Sequence, residues 1–240
     1  MFRAILAAAL FGASLMAMPA LPAVAASFDC AKAGTPFERA ICADADLSKA
    51  DEQLAKTYAT AIGGLSEQAL DDIRASQREW LDYAQRACTR DARPLASGDY
   101  DERGLLCLRD LFNSRSRVLE TSRMMDGIRF YPLARFAAQP DPYELDNPQS
   151  NWPVARHELA MVQIDGDEGF AHAFNDLVRA EGELISTMFA PQGEPDVMEE
   201  DASSDTTNAI VVDEIAGNNR ISLLVNTYWY GHGAAHGNYS

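Results

Sequence analysis

SQREWLDYAQRAC (residues 76–88) and CLRDLFNSRSRVLE (residues 107–120) decide the fold of the first half of this 240-residue chain. Around the first, Leu70, Ile73, Gln77, Trp80, Leu81, Ala84 and Cys88 recur in steps of three and four behind Ser66, a capping residue. Around the second, Leu105, Leu108, Leu111, Arg115, Val118 and Leu119 do the same. Arg93-Pro94 and Ser97-Gly98 mark the turn between them. Two long helices joined by a loop, with one cysteine near each inner end, make a hairpin that a Cys88–Cys107 disulfide can clamp.

Working upstream, Thr35 and Pro36 have the chemistry of an N-cap and a first helical residue, predicting a short helix over Pro36–Cys42. Leu47, Ala50, Leu54, Tyr58, Ala61 and Ile62 line a longer helix, which Gly63-Gly64 ends. The four cysteines, Cys30, Cys42, Cys88 and Cys107, all lie in this half. Three pairings exist, and sequence proximity favours Cys30–Cys42 with Cys88–Cys107. Loops of that size stabilise by about 3 kcal/mol each in the chain-entropy model. Zinc is the alternative, but the spacing lacks the C-x₂-C knuckle zinc sites commonly use.

The beginning, MFRAILAAALFGASLMAMPALPAVAA, places Arg3 before an apolar run and a small-residue ending (Ala23-Val24-Ala25-Ala26). This is the order of a cleaved secretory leader, with cleavage after Ala25 or one residue later. Pro19 and Pro22 break the run before it reaches the roughly 20 apolar residues a bilayer span needs. The expected location is periplasmic or secreted, without a transmembrane anchor. There an even cysteine set reads as disulfides.

The segments FDCAKAGTPFERAICADADLSKADEQLAKTYATAI (residues 28–62), SQREWLDYAQRAC and CLRDLFNSRSRVLE resemble the N-terminal domain of the lysozyme inhibitor LprI. The matching positions are Cys30, Ile41-Cys42, Leu47, Asp51, Leu54, Tyr58, Gln77, Trp80, Cys88, Cys107-Leu108 and Arg115. The resemblance implies an all-helical, disulfide-bonded, non-enzymatic domain over residues ~28–122, with Asp51, Gln77 and Trp80 as motif residues. Trp80 and Tyr58 lie on apolar helical faces and read as core aromatics. Arg39, Arg78, Arg109 and Arg115 read as solvated, or paired with acids such as Asp51, Glu79 and Asp110.

Past residue 125 the pattern changes. Residues 126–240 hold 5 basic and 19 acidic side chains, against 14 and 17 in residues 27–125. Phe130–Phe136 and Ala155–Ile164 predict strands, and Phe170–Phe189 an amphipathic helix. Ala209–Glu214 and Arg220–Tyr230, separated by Ala216-Gly217-Asn218-Asn219, predict a hairpin. The closing ISLLVNTYWYGHGAAHGNYS is similar to the C-terminal domain shared by the anti-sigma factor RsiV and the deacetylase PdaC. The corresponding residues are Tyr228, Tyr230, Gly233, Ala234, Ala235, His236, Gly237 and Asn238, with His236 and Gly237 as the motif pair in a tight glycine-rich turn. Because that domain continues beyond this point in its family, the resemblance implies a partial domain whose last strand is left as an open edge. The predicted fold class is therefore α+β. It comprises a leader (1–26), a disulfide-bonded all-helical domain (27–125) and a smaller, incomplete α+β domain (126–240).

Twenty basic against 36 acidic residues give a net charge of −16, which argues against nucleic acid, since each phosphate contact needs a cation. It favours a basic partner. His232 and His236 have ligand-like spacing, but their glycine surroundings do not form the helix that would align them, and His157 and His172 are remote. No metal, cofactor or catalytic residue is expected. The functional expectation is an exported cell-envelope protein that binds or inhibits a lysozyme-type muramidase. Glu194, Asp196, Glu199, Glu200 and Asp201 are candidate contacts. The alternatives are a peptidoglycan-associated accessory module and, less favoured, an enzyme modifying cell-wall glycan.

Overall fold

The computed structural model describes residues 26–144, 147–151, 153–186, 205–217, 220–231 and 234–240. A single 3-10 turn (Cys30–Lys32) leads into α1 (Pro36–Ala43), α2 (Ala45–Ala61), α3 (Glu67–Ala87) and α4 (Glu102–Leu119). Then follow β1 (Arg123–Met125), β2 (Ile128–Pro140), β3 (Val154–Ile164), α5 (Gly169–Ile185), β4 (Asp205–Ala216), β5 (Arg220–Gly231) and β6 (Ala234–Tyr239). The architecture is α+β, with the disulfides in the helical region. Residues 1–25 of the expected leader lie outside the described residues, as do the five acids from Glu194 to Asp201.

The helices begin where local chemistry says they should. Thr35 caps α1 in a full capping box with Glu38, and Pro36 sits at the first helical position. Ser66 caps α3 and Asp101 caps α4. Asp44 both ends α1 and caps α2, accepting from Leu47 N. Cys30 is bonded to Cys42 and Cys88 to Cys107, so each staple closes a short loop at one end of the bundle.

The helical core gathers Leu47, Leu54, Ile73, Trp80, Tyr83, Leu108 and Phe112, all nearly inaccessible to water. Trp80 meets Phe112 edge-on, with ring centroids 4.9 Å apart. Helices alone do not close this core: Ala134 and Phe136 of β2 belong to it.

The six strands are ordered β1-β2-β3-β4-β5-β6 and pair antiparallel, except β3 and β4, which run parallel. A parallel pair needs a crossover, and α5 provides it. The helix packs on Leu159, Met161 and Ile210 through Phe174 and Val178. At Gly182 an added Cβ would lie 2.4 Å from Met161 Sδ, so a larger residue here would force the Met161 side chain to move. Asn175 bonds both the N–H and the C=O of Ile164, at 2.7 and 3.0 Å, fixing α5 against the end of β3.

Helix α3 runs along β2 and satisfies its backbone on the side away from β3. Ser76 Oγ donates to Ala134 O (3.0 Å), Phe136 N donates to Glu79 Oε1 (2.8 Å), and Arg86 donates to Ala138 O (3.3 Å). An open strand edge invites association, and here a helix covers it. Further ties join the halves: Ser66 donates to Asp165 through N and Oγ, and Arg129 donates to Ala61 O and Gly63 O.

The closing segment departs from expectation. His236 and Gly237 lie within β6, not in a turn, opposite Trp229 and Tyr228 of β5. Gly237 does not use the left-handed backbone that a tight reversal requires. The expected helix over Phe170–Phe189 is described only as far as Ile185.

Candidate functional site

A groove of about 390 Å³ opens on the helical half. Phe37, Ile41, Leu54, Trp80 and Phe112 floor it, while Thr35, Glu38, Asp51, Tyr58, Gln77 and Gln85 supply polar groups. It thus gathers Asp51 and Tyr58 of α2 with Gln77 and Trp80 of α3.

Most of these polar groups are committed to hydrogen bonds within the fold. Asp51 is buried and accepts from Ser27 N at 2.7 Å, holding the backbone at Ser27 against α2. Glu38 accepts from Gly34 N and Thr35 N, and those backbone donors hold its carboxyl below the usual range. Gln77 accepts from Arg115 Nε at 3.0 Å. The groove thus combines an apolar floor with a polar rim, and among the described residues none of these groups is paired as nucleophile and base.

Arg115 corrects the reading of the arginines. It is 2% exposed, lies over the Phe136 ring at 5.4 Å and bonds Gln77 and Ser76. Burial lowers its pKa to about 10. Its place in the run Leu108, Leu111, Arg115, Val118 was the available signal, since a solvated residue does not belong on an apolar face. Arg109 pairs with Asp44, not Asp110, through contacts of 3.0 and 2.5 Å, and Arg39 pairs with Asp99. Arg109's hydrogen bond holds the Asp44 carboxyl below its ordinary range. Glu79 pairs with Arg135 of β2, and Arg78 is exposed, as expected of a solvated side chain.

A second polar cluster sits where α3 and α4 meet β3, and the sequence reading missed it. Tyr83 Oη donates to Glu158 Oε1 at 3.0 Å, and Ser114 Oγ approaches Oε2 at 3.5 Å. Removal from water raises the Glu158 pKa, opposed by the Tyr83 hydrogen bond and the Arg156 charge. The same burial, with Glu158 beside it, pushes the Tyr83 phenol well up. Arg156 is bound to Asp205 of β4, and its Nη1 lies 3.3 Å from Cys107 Sγ. Asp205's attraction outweighs desolvation and raises the Arg156 pKa. The cluster ties together four elements, α3, α4, β3 and β4. A cavity of about 520 Å³ beside it is lined by Cys88, Cys107, Arg90, Arg103 and Arg156.

The described histidines do not converge. His157 is fully buried with Nδ1 2.9 Å from Thr206 Oγ1, His172 is exposed on α5, and His236 packs on Trp229 with centroids 5.5 Å apart. His232 is outside the described residues. Among the described residues no group of three or more His, Cys, Asp or Glu side chains is arranged to hold a metal ion.

Residues 29–119 match the family model of lysozyme inhibitor LprI. That span covers the 3-10 turn, α1–α4, both disulfides and most of the groove. That family model is named for inhibition of lysozyme. No curated protein and no solved structure matches the chain. No described helix is long and apolar enough to cross a membrane.

Proposed function

We propose that this is an exported cell-envelope protein that binds and inhibits a lysozyme-type muramidase through its stapled helical half. The observation that carries the reading is the LprI match over residues 29–119. Two disulfides support export, since such bonds persist in oxidising compartments. The leader-like start supports it as well. The likeness of residues 221–240 to the RsiV and PdaC C-terminal domain points to the same envelope setting, and residues 27–125 and 126–240 are proposed as its two modules. The net charge of −16 attracts basic lysozymes, speeding encounter more than it deepens affinity. The docking surface in this reading is the groove rim, with Gln77, Tyr58 and Leu81 at its mouth. Leu81 is 40% exposed.

Calorimetric titration of residues 27–240 into a basic lysozyme, at low and high ionic strength, tests this. The expected result is saturable binding that weakens with salt and is lost in Leu81→Glu. Absence of binding at low ionic strength overturns the proposal.

A further inference from the structure

Helix α5 has two apolar faces, and the fold uses one. The inner face, Ala171, Phe174, Asn175, Val178 and Gly182, is buried on the sheet. The outer face carries Phe170, Leu177 and Leu184, which are 55%, 64% and 79% exposed. Ala173 and Ala180 lie between them and are exposed as well. The steps from 170 to 184 are three, four, three and four, the a/d seam of a heptad repeat. Single exposed apolar residues need no explanation, but a seam of five along about 21 Å of helix does. Heptad spacing is also specific about its occupant: it is the spacing that another helix fills.

The rim selects that helix. Asp176, Glu181 and Glu183 are exposed beside the seam. The one arginine of α5, Arg179, is drawn away to Asp72 of α3 at 3.4 Å. A second copy would bring the same carboxylates against these, and like charges flanking a helix pair oppose association. A helix with lysines or arginines at the flanking positions meets the seam with apolar contact and the rim with opposite charge.

We infer that the outer face of α5 (Phe170, Ala173, Leu177, Ala180 and Leu184, edged by Asp176, Glu181 and Glu183) binds a cationic amphipathic peptide that folds as a helix along it. This is a binding activity separate from the muramidase reading, and it stands or falls independently of it.

The test uses the chain from residue 27 and a synthetic 21-residue peptide with Leu at a and d and Lys at e and g. A scrambled peptide of identical composition is the control. Fluorescence anisotropy is expected to show saturable binding of the heptad peptide with a gain of helical circular dichroism. Affinity for the scrambled peptide should be at least about tenfold weaker. Leu177→Glu with Leu184→Glu should weaken binding by a similar factor. Asp176→Lys with Glu183→Lys should weaken it at low salt and flatten its salt dependence. All four positions are exposed, so thermal melts of the variants should match the parent. Equal binding of both peptides, or parent-like affinity in the Leu177/Leu184 variant, overturns the inference. So does sedimentation showing a parent dimer that Leu177→Glu dissociates, because the seam would then belong to a second copy.

Discussion

The helical half and the sheet half solve the problem of burial differently. Residues 27–125 carry a nearly balanced charge, two disulfides and a core into which even an arginine is drawn. Residues 126–240 carry most of the net charge and no cysteine, and they leave an apolar seam on α5 facing outward. The first half spends its apolar residues on rigidity, whereas the second leaves part of its own on the surface. In this fold, helical periodicity alone does not distinguish a core helix from one with an unused face. Leu108 and Leu177 look alike in sequence, yet they are 0% and 64% exposed.

The sharpest way to break this contrast is truncation on each side. Trp80→Ala removes the ring that meets Phe112 and is expected to cost about 3–5 kcal/mol, measured by urea unfolding. Leu177→Ala should stay within about 0.5 kcal/mol of the parent. Equal losses would abolish the distinction. Next in size is the staple: Cys88→Ser with Cys107→Ser should cost about 3 kcal/mol, read as a lowered Tm under non-reducing conditions.

Smaller effects probe the polar joints. Asp44→Ala removes the cap on Leu47 N and Arg109's partner together, so about 1–2 kcal/mol is expected from chemical denaturation at neutral pH. The pH dependence of this pair follows from the lowered Asp44 pKa: its contribution is present above the ordinary aspartate range and is lost as pH falls through the folded value. Glu158 has the opposite sign. Its raised pKa means that the folded state binds the proton more tightly than the unfolded chain. Stability is favoured below the ordinary glutamate range and declines as pH rises to the folded value. Glu158→Gln should flatten that decline, seen in urea midpoints compared across mildly acidic pH.

Much of this organisation is legible in the residues. Capping at Thr35, Ser66 and the Gly63-Gly64 break set the helix ends, and loop closure distinguished one cysteine pairing from two others. The hairpin of β4 and β5 followed from its β-branched strands and glycine-asparagine turn. What escaped depends on contacts between distant segments. Nothing local to Arg115 says that Gln77 waits across the bundle, and nothing near Glu158 indicates Tyr83, 75 residues earlier. The covering of β2 by α3 has the same origin, because Ser76, Glu79 and Arg86 are ordinary polar helix residues until a strand edge is placed beside them. His236 and Gly237 were misplaced for a different reason: glycine content suggested a reversal, whereas strand pairing with β5 determines their backbone.

The claim that the stapled helical half acts on a muramidase is tested most directly by the rate of lysis of a cell-wall suspension. A basic lysozyme would be titrated with the disulfide-intact protein at low ionic strength. The account expects the rate to fall steadily and level off near one inhibitor per enzyme, with Leu81→Glu failing to inhibit. An unchanged rate at large molar excess of the folded, oxidised protein would contradict it.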